Sequence, residues 1–266
     1  MLTARTFLVR GLLAGLFAGI VVFGVAYVVG EPSVASAIAI EESAAPTDGH
    51  THDGTTAAQA DEHSHGDEQV VARTNQATWG LATATVIFGV ALGGIVGLAA
   101  AFACGRFGRL SPRASTALVA VLGFVAGYLV PYLKYPPNPP AVGNPDTIGQ
   151  RTAWYFCMLA VSVVAAIIAI VATRRLAPRC GSWSSGLTAA GGYLVVVGLT
   201  ARLLPTVDEV PATFPADLLW QFRIASLTVQ ATLWAVIGLT LATMIGSVVR
   251  RSAGASRTDQ LAGSAA

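Results

Sequence analysis

Thr78-Trp-Gly-Leu-Ala-Thr-Ala-Thr-Val-Ile-Phe-Gly89-Val-Ala-Leu-Gly93-Gly-Ile-Val-Gly97-Leu-Ala-Ala-Ala-Phe-Ala103 carries not one charged side chain. A helix needs roughly 20 apolar residues to cross the hydrocarbon core of a bilayer, and this run is long enough. Five further stretches have the same character, at about Val9–Val29, Ala114–Leu133, Thr152–Ala172, Gly186–Leu204 and Ile224–Val249. Composition agrees. Charged residues make up 11% of the 266-residue chain, against about 25% in soluble domains. The mean hydropathy is +0.63. The expected fold is an all-α integral membrane protein of about six transmembrane helices, with a disordered His/acidic extracytoplasmic loop.

That loop lies between the first two spans. All four histidines fall between His50 and His65, as the pairs His50/His52 and His63/His65. Asp48, Asp53, Asp61 and Asp67 bracket them, and no Lys or Arg occurs from Gly11 to Ala72. Imidazoles at i and i+2 can turn onto one ion, and two such pairs can close a four-nitrogen shell or hold two ions. Imidazole suits Co, Ni, Cu and Zn, and added carboxylates favour the borderline ions over Cu(I). These eight residues are the expected metal ligands, with an acidic linker that merely contains histidines as the bland alternative. Ligation needs neutral imidazole, so affinity should fall as pH drops through about 6.5.

Basic residues give the orientation. With the N-terminus inside, Arg5, Arg10, Arg106, Arg109, Arg113, Arg174, Arg175, Arg179, Arg250, Arg251 and Arg257 are cytoplasmic. Arg73, Lys134, Arg151, Arg202 and Arg223 lie on the other side. Eleven against five puts both termini in the cytoplasm and the histidines outside. Ala35-Ser-Ala37 resembles a signal-peptidase site, but the preceding apolar run of about 19 residues exceeds a signal h-region of about 7–15. Helix 1 is therefore read as an uncleaved anchor. The chain divides into helix 1 (1–30), the His-rich acidic loop (31–77), a five-helix bundle (78–250) and a disordered cytoplasmic tail (251–266).

Glycines four apart occur in helix 1 (Gly11, Gly15, Gly19), helix 2 (Gly89, Gly93, Gly97) and helix 3 (Gly123, Gly127). Such stripes let helix backbones approach closely in lipid, so ordinary bundle packing is expected. Cys104, Cys157 and Cys180 have no CxxC spacing and read as structural thiols.

Two outer loops complete the picture. Residues 131–145 hold six prolines, which exclude helix because proline lacks the backbone donor. This loop carries Lys134, Asn138, Asn144, Asp146 and Arg151, and reads as a pore mouth or docking surface, or as a stiff connector in which Asp146 and Thr147 cap the next helix. The second loop brings Asp208, Glu209 and Asp217 near Trp220, Phe222 and Arg223. The aromatic pair suits an interfacial belt, while Arg202 and Arg223 should snorkel or pair with these carboxylates. No Asp, Glu or His sits at the centre of a span, although such groups usually mark ion pathways. Thr83, Thr85, Tyr128, Tyr193, Thr200, Gln230 and Thr232 are the polar groups left there. Either a second subunit contributes, or backbone carbonyls and loop residues coordinate the ion. No enzyme signature, organic-cofactor motif or nucleic-acid patch is present.

The motif Leu133-Lys-Tyr-Pro-Pro-Asn-Pro-Pro-Ala-Val-Gly143, with Asp146-Thr-Ile148 and Arg151-Thr152, resembles the CbtA family of predicted cobalt transporter subunits. Phe214-Pro-Ala and Leu219-Trp-Gln-Phe-Arg-Ile-Ala-Ser226 fit the same family, over residues 5–250. The resemblance implies cobalt uptake feeding cobalamin synthesis in bacteria, beside a small His-containing CbtB-type subunit. The expectation is thus a multi-pass inner-membrane component of a divalent-metal uptake transporter. Cobalt is the expected cargo, with nickel or zinc as alternatives. A membrane metal sensor or assembly protein, or a nickel or zinc exporter, would share these features.

Overall fold

The computed structural model describes residues 2–44, 72–107, 110–140 and 142–264. Six helices are long and apolar enough to cross a membrane: α1 (Ala4–Ser43), α2 (Arg73–Ala103), α3 (Pro112–Lys134), α4 (Pro145–Cys180), α5 (Ser182–Leu203) and α6. The last runs over Ala216–Ser264. No strand occurs among the described residues. Local chemistry sets several ends. The Thr3 hydroxyl accepts from the Thr6 amide at 3.2 Å to start α1, and Ser111 does the same for Ala114 at α3. An N-cap hydroxyl of this kind satisfies one of the orphan donors at a helix start. Gly181, at φ +78°, makes the turn between α4 and α5.

The glycine stripes are the deepest contact in the molecule. Helices α1 and α2 run antiparallel with Gly11, Gly15 and Gly19 against Gly97, Gly93 and Gly89. A Cβ added at Gly93 would stand 2.7 Å from Gly15 Cα, and one at Gly97 would stand 2.6 Å from the Phe7 carbonyl oxygen. Backbone therefore meets backbone along this seam, the van der Waals packing that drives association in lipid. Helix α6 closes over the pair. The core joins Phe7, Ala14, Ala18 and Val22 of α1 to Val96 and Ala100 of α2, Ala120 of α3, and Leu233, Ile237, Leu241 and Ile245 of α6. Gly123 of α3 is roofed by the Trp234 ring.

Neither α4 nor α5 enters that core cluster. They form a hairpin docked on the outer half of α3 through α4. A hydrogen bond between Ser162 and Tyr193 hydroxyls, 2.9 Å, ties the two together. Outward side chains along the spans are mostly apolar; Phe102 is 71% and Leu239 68% exposed. Apolar surface on this scale marks a lipid-facing perimeter, since soluble monomers rarely show contiguous patches of this size.

Three differences from the sequence reading concern helix ends. The loop expected over 31–77 is helical at both margins, over Glu31–Ala44 and from Arg73 onward. Pro32 was no barrier, because a wide turn precedes it. The Glu31 amide donates to the Ala26 carbonyl, five residues back. A proline ring clashes with the carbonyl four residues behind it, and the widened turn relieves that crowding. The same device appears before Pro131, where Val130 donates to Val125. Alanine-rich sequence then carries α1 onward, with Ser33 and Ala37 buried. The tail expected to be disordered from 251 instead continues α6 to Ser264. Extending an established helix needs no new nucleus, and Ala253, Ala255, Leu261 and Ala262 favour it. Third, residues 131–134, assigned from sequence to the proline-rich loop that excludes helix, form the last turn of α3.

Glu31 and Arg73 meet at 2.5 Å. This ion pair joins α1, just past its wide turn, to the first residue of α2.

Candidate functional site

The metal ligands expected from sequence, His50, His52, His63, His65, Asp48, Asp53, Asp61 and Asp67, all lie outside the described residues. Among the described residues no group of three or more His, Cys, Asp or Glu gathers. What the fold does assemble is a clamp between two loops at one end of the helix bundle. The proline-rich loop between α3 and α4 and the loop between α5 and α6 close on each other through one carboxylate.

Glu209 is that carboxylate. Its Oε2 accepts from the Asn144 amide at 2.9 Å and faces Arg151 Nη1 at 3.2 Å. Its Oε1 lies 2.7 Å from the Thr147 hydroxyl. That hydroxyl also stands 2.9 Å from the Asn144 carbonyl, and its single proton serves one acceptor at a time. Arg151 adds a bond from Nη2 to the Asn144 carbonyl at 3.2 Å. Its guanidinium lies flat against Gly143, whose φ of +119° and lack of a side chain leave room for it. One more tie fastens the loops and another joins α3 to α6 beside them. The Tyr135 hydroxyl donates to the Pro205 carbonyl at 2.8 Å, and the Tyr132 hydroxyl to the Arg223 carbonyl at 2.9 Å. Burial pushes the Tyr135 phenol above its ordinary value of 10.0, which keeps it a neutral donor.

The sequence left the partners of these residues open. One alternative had Asp146 and Thr147 capping α4; the cap is Asn144, whose Oδ1 accepts from the Asp146 amide at 2.9 Å. Thr147 makes no side-chain cap and turns to Glu209 instead. Arg223 was expected to snorkel or pair with a carboxylate. Its Nη2 donates to Asn138 Oδ1 at 3.0 Å, and no carboxylate reaches it among the described residues. Trp220 is 65% exposed, as an interfacial aromatic should be.

Beneath the clamp lies an open cavity of about 410 Å³, walled by Tyr135, Asn138, Arg151, Thr152, Tyr155, Asp208 and Arg223 among others. The Nε atoms of both Arg151 and Arg223 are buried without a hydrogen-bond partner among the described residues. The cavity is therefore rich in donors and carries both signs of charge.

The hydrogen bond from Thr147, then that from the Asn144 amide, then the charge of Arg151 hold the Glu209 carboxyl below its ordinary value of 4.5. A carboxyl depressed in the folded state contributes stability that is complete above its unfolded value and lost as pH falls through the folded one. The clamp thus stays charged across the neutral range. Melting of the detergent-purified protein should differ between wild type and Glu209→Gln by a constant amount above about pH 6, and that difference should shrink only in acid below the ordinary carboxylate range. A gap that already narrows between about pH 7 and pH 6 would contradict the depression.

A family model described as "Probable cobalt transporter subunit (CbtA)" matches residues 4–246. No curated protein and no solved structure matches the chain.

Proposed function

The chain belongs to the CbtA family of probable cobalt transporter subunits, and from that premise we propose that it is the multi-pass inner-membrane component of a cobalt uptake system. The family match across nearly the whole chain carries this reading. Six apolar helices that can each span a bilayer support it. Membership as a subunit implies a complex, and a small His-containing CbtB-type protein is the partner proposed here. The excess of arginine on one set of connections puts both termini in the cytoplasm.

In this mechanism His50, His52, His63 and His65, with Asp48, Asp53, Asp61 and Asp67, collect the ion outside. The ion pair of Glu31 with Arg73 ties α1 to the start of α2. The cargo then passes to the mouth formed by the clamped loops and onward through the bundle. Cobalt is the proposed cargo; nickel and zinc share the ligand chemistry.

Cells carrying all four His→Ala changes should accumulate several-fold less labelled cobalt when external cobalt is limiting, and near-normal amounts when it is abundant. Equal accumulation at every concentration would remove the capture role. Cobalt, nickel and zinc contents of cells with and without the gene identify the cargo. Cobalt starvation on deletion supports uptake, whereas metal hypersensitivity would indicate an exporter.

A further inference from the structure

We infer that the outer cavity binds a carboxylate-bearing chelate of the metal rather than the bare hydrated cation. The inference deepens the proposed uptake function, because it names the form in which cargo meets the mouth. It starts from Arg223. This residue projects into the cavity wall with only the neutral Asn138 amide oxygen as its side-chain partner, 3.0 Å away. A guanidinium withdrawn from water calls for an anion, and a carboxylate matches its planar fork best. The Arg223 Nε, buried without a partner, leaves a donor of that fork unused.

The surroundings agree. Thr152 and Tyr155 line the same cavity and add hydroxyl groups able to bond carboxylate oxygens. Arg151 contributes a second guanidinium, although Glu209 already engages it at 3.2 Å. With Arg151 answered by Glu209, Arg223 is the guanidinium left without a carboxylate, and it disfavours a bare aqua dication beside it. Asp208 is the counterweight, an exposed carboxylate on the same wall. A cavity with donors and guanidiniums on one part and a carboxylate on another is bipolar. It fits a ligand of the same character: a metal ion whose positive edge faces Asp208 and whose chelating carboxylates face Arg223. The volume of about 410 Å³ is within the range of small-molecule sites and exceeds the needs of a single ion.

The test uses the full chain in lipid nanodiscs and calorimetric titration with cobalt chloride, citrate, cobalt–citrate and inorganic phosphate. Cobalt–citrate should bind wild type more tightly than citrate or phosphate alone. Arg223→Gln should weaken that binding by about tenfold or more, as expected when one partner of a desolvated charge pair is removed. Its binding of cobalt chloride should stay unchanged. Asn138→Asp guards against misfolding as an explanation, since it hands Arg223 a carboxylate from within the chain. That variant should melt no lower than wild type and still bind cobalt–citrate poorly. Equal cobalt–citrate affinity in wild type, Arg223→Gln and Asn138→Asp would overturn the inference, as would phosphate binding as well as the chelate. Citrate binding equally with or without cobalt would overturn the chelate in favour of a free carboxylate. The uptake reading fails separately, through unaltered cellular cobalt on deletion, and that result leaves these titrations standing.

Discussion

Replacing Gly93 by leucine should abolish stable folding of this protein in the membrane. An ideal Cβ at that position would stand 2.7 Å from Gly15 Cα and 2.8 Å from Gly15 N, and would overlap the Gly11 carbonyl oxygen. Every obstacle is backbone, so no side chain can swing aside. Overpacking an ordinary core costs about 1–3 kcal/mol and occasionally more; here α1 and α2 must separate along their length, so the top of that range is the floor. The loss also reaches α6, whose Ile237, Leu241 and Ile245 share the same core. Size-exclusion profiles and thermal melts of the detergent-purified variant read the effect directly. Gly191→Leu is the control, since that exposed glycine on α5 has nothing within 4 Å of its would-be Cβ. A Gly93→Leu protein that melts like Gly191→Leu would mean that the seam is not what holds the bundle.

Glu209→Ala should give the second large effect, on transport rather than on folding. One carboxylate collects the Asn144 amide, the Thr147 hydroxyl and the Arg151 guanidinium, and no other side chain bridges these two loops through three contacts. Its removal leaves Arg151 without its ion-pair partner and leaves the proline-rich loop tied to the α5–α6 connection by the Tyr135–Pro205 hydrogen bond. Cobalt uptake should fall at least several-fold, while the melting transition moves little because the core lies elsewhere. Glu209→Gln keeps the shape and a single acceptor oxygen, so it should fall between alanine and wild type. Wild-type uptake by Glu209→Ala at limiting cobalt would remove the clamp from the mechanism.

How far the sequence alone could go differs between membrane and mouth. The spans were legible because uncharged apolar runs admit few alternatives, and the Gly11, Gly15, Gly19 and Gly89, Gly93, Gly97 stripes signalled close packing without saying which helices pair. Helix ends were less legible. The boundary of helix 1 was drawn at residue 30, and nothing in the surrounding sequence signals the bond from the Glu31 amide to a carbonyl five residues back that carries the helix past Pro32. At the mouth, both loops were recognisable as the motifs that carry the family resemblance. Their pairing was not. Asn144 meets Glu209 across 65 positions, and Asn138 meets Arg223 across 85. Spacing within one loop holds no information about its partner across such gaps, so Arg151 and Arg223 could not be told apart as the paired and the unpaired guanidinium.

The wide turn at Ala26–Gly30 also changes the angular phase of α1. A regular helix advances about 100° per residue, so one extra residue in a turn rotates everything beyond it by about that angle. Below the turn α1 presents Gly11, Gly15 and Gly19 to α2; above it Ser33 and Ala37 are the buried positions, and the helix leans on α6. A single rod thus packs on both α2 and α6 below the turn and continues along α6 above it. The register of the outer half is set by the count of residues between Gly19 and Ser33, so a one-residue deletion there would turn Ala37 toward lipid while leaving the glycine seam intact.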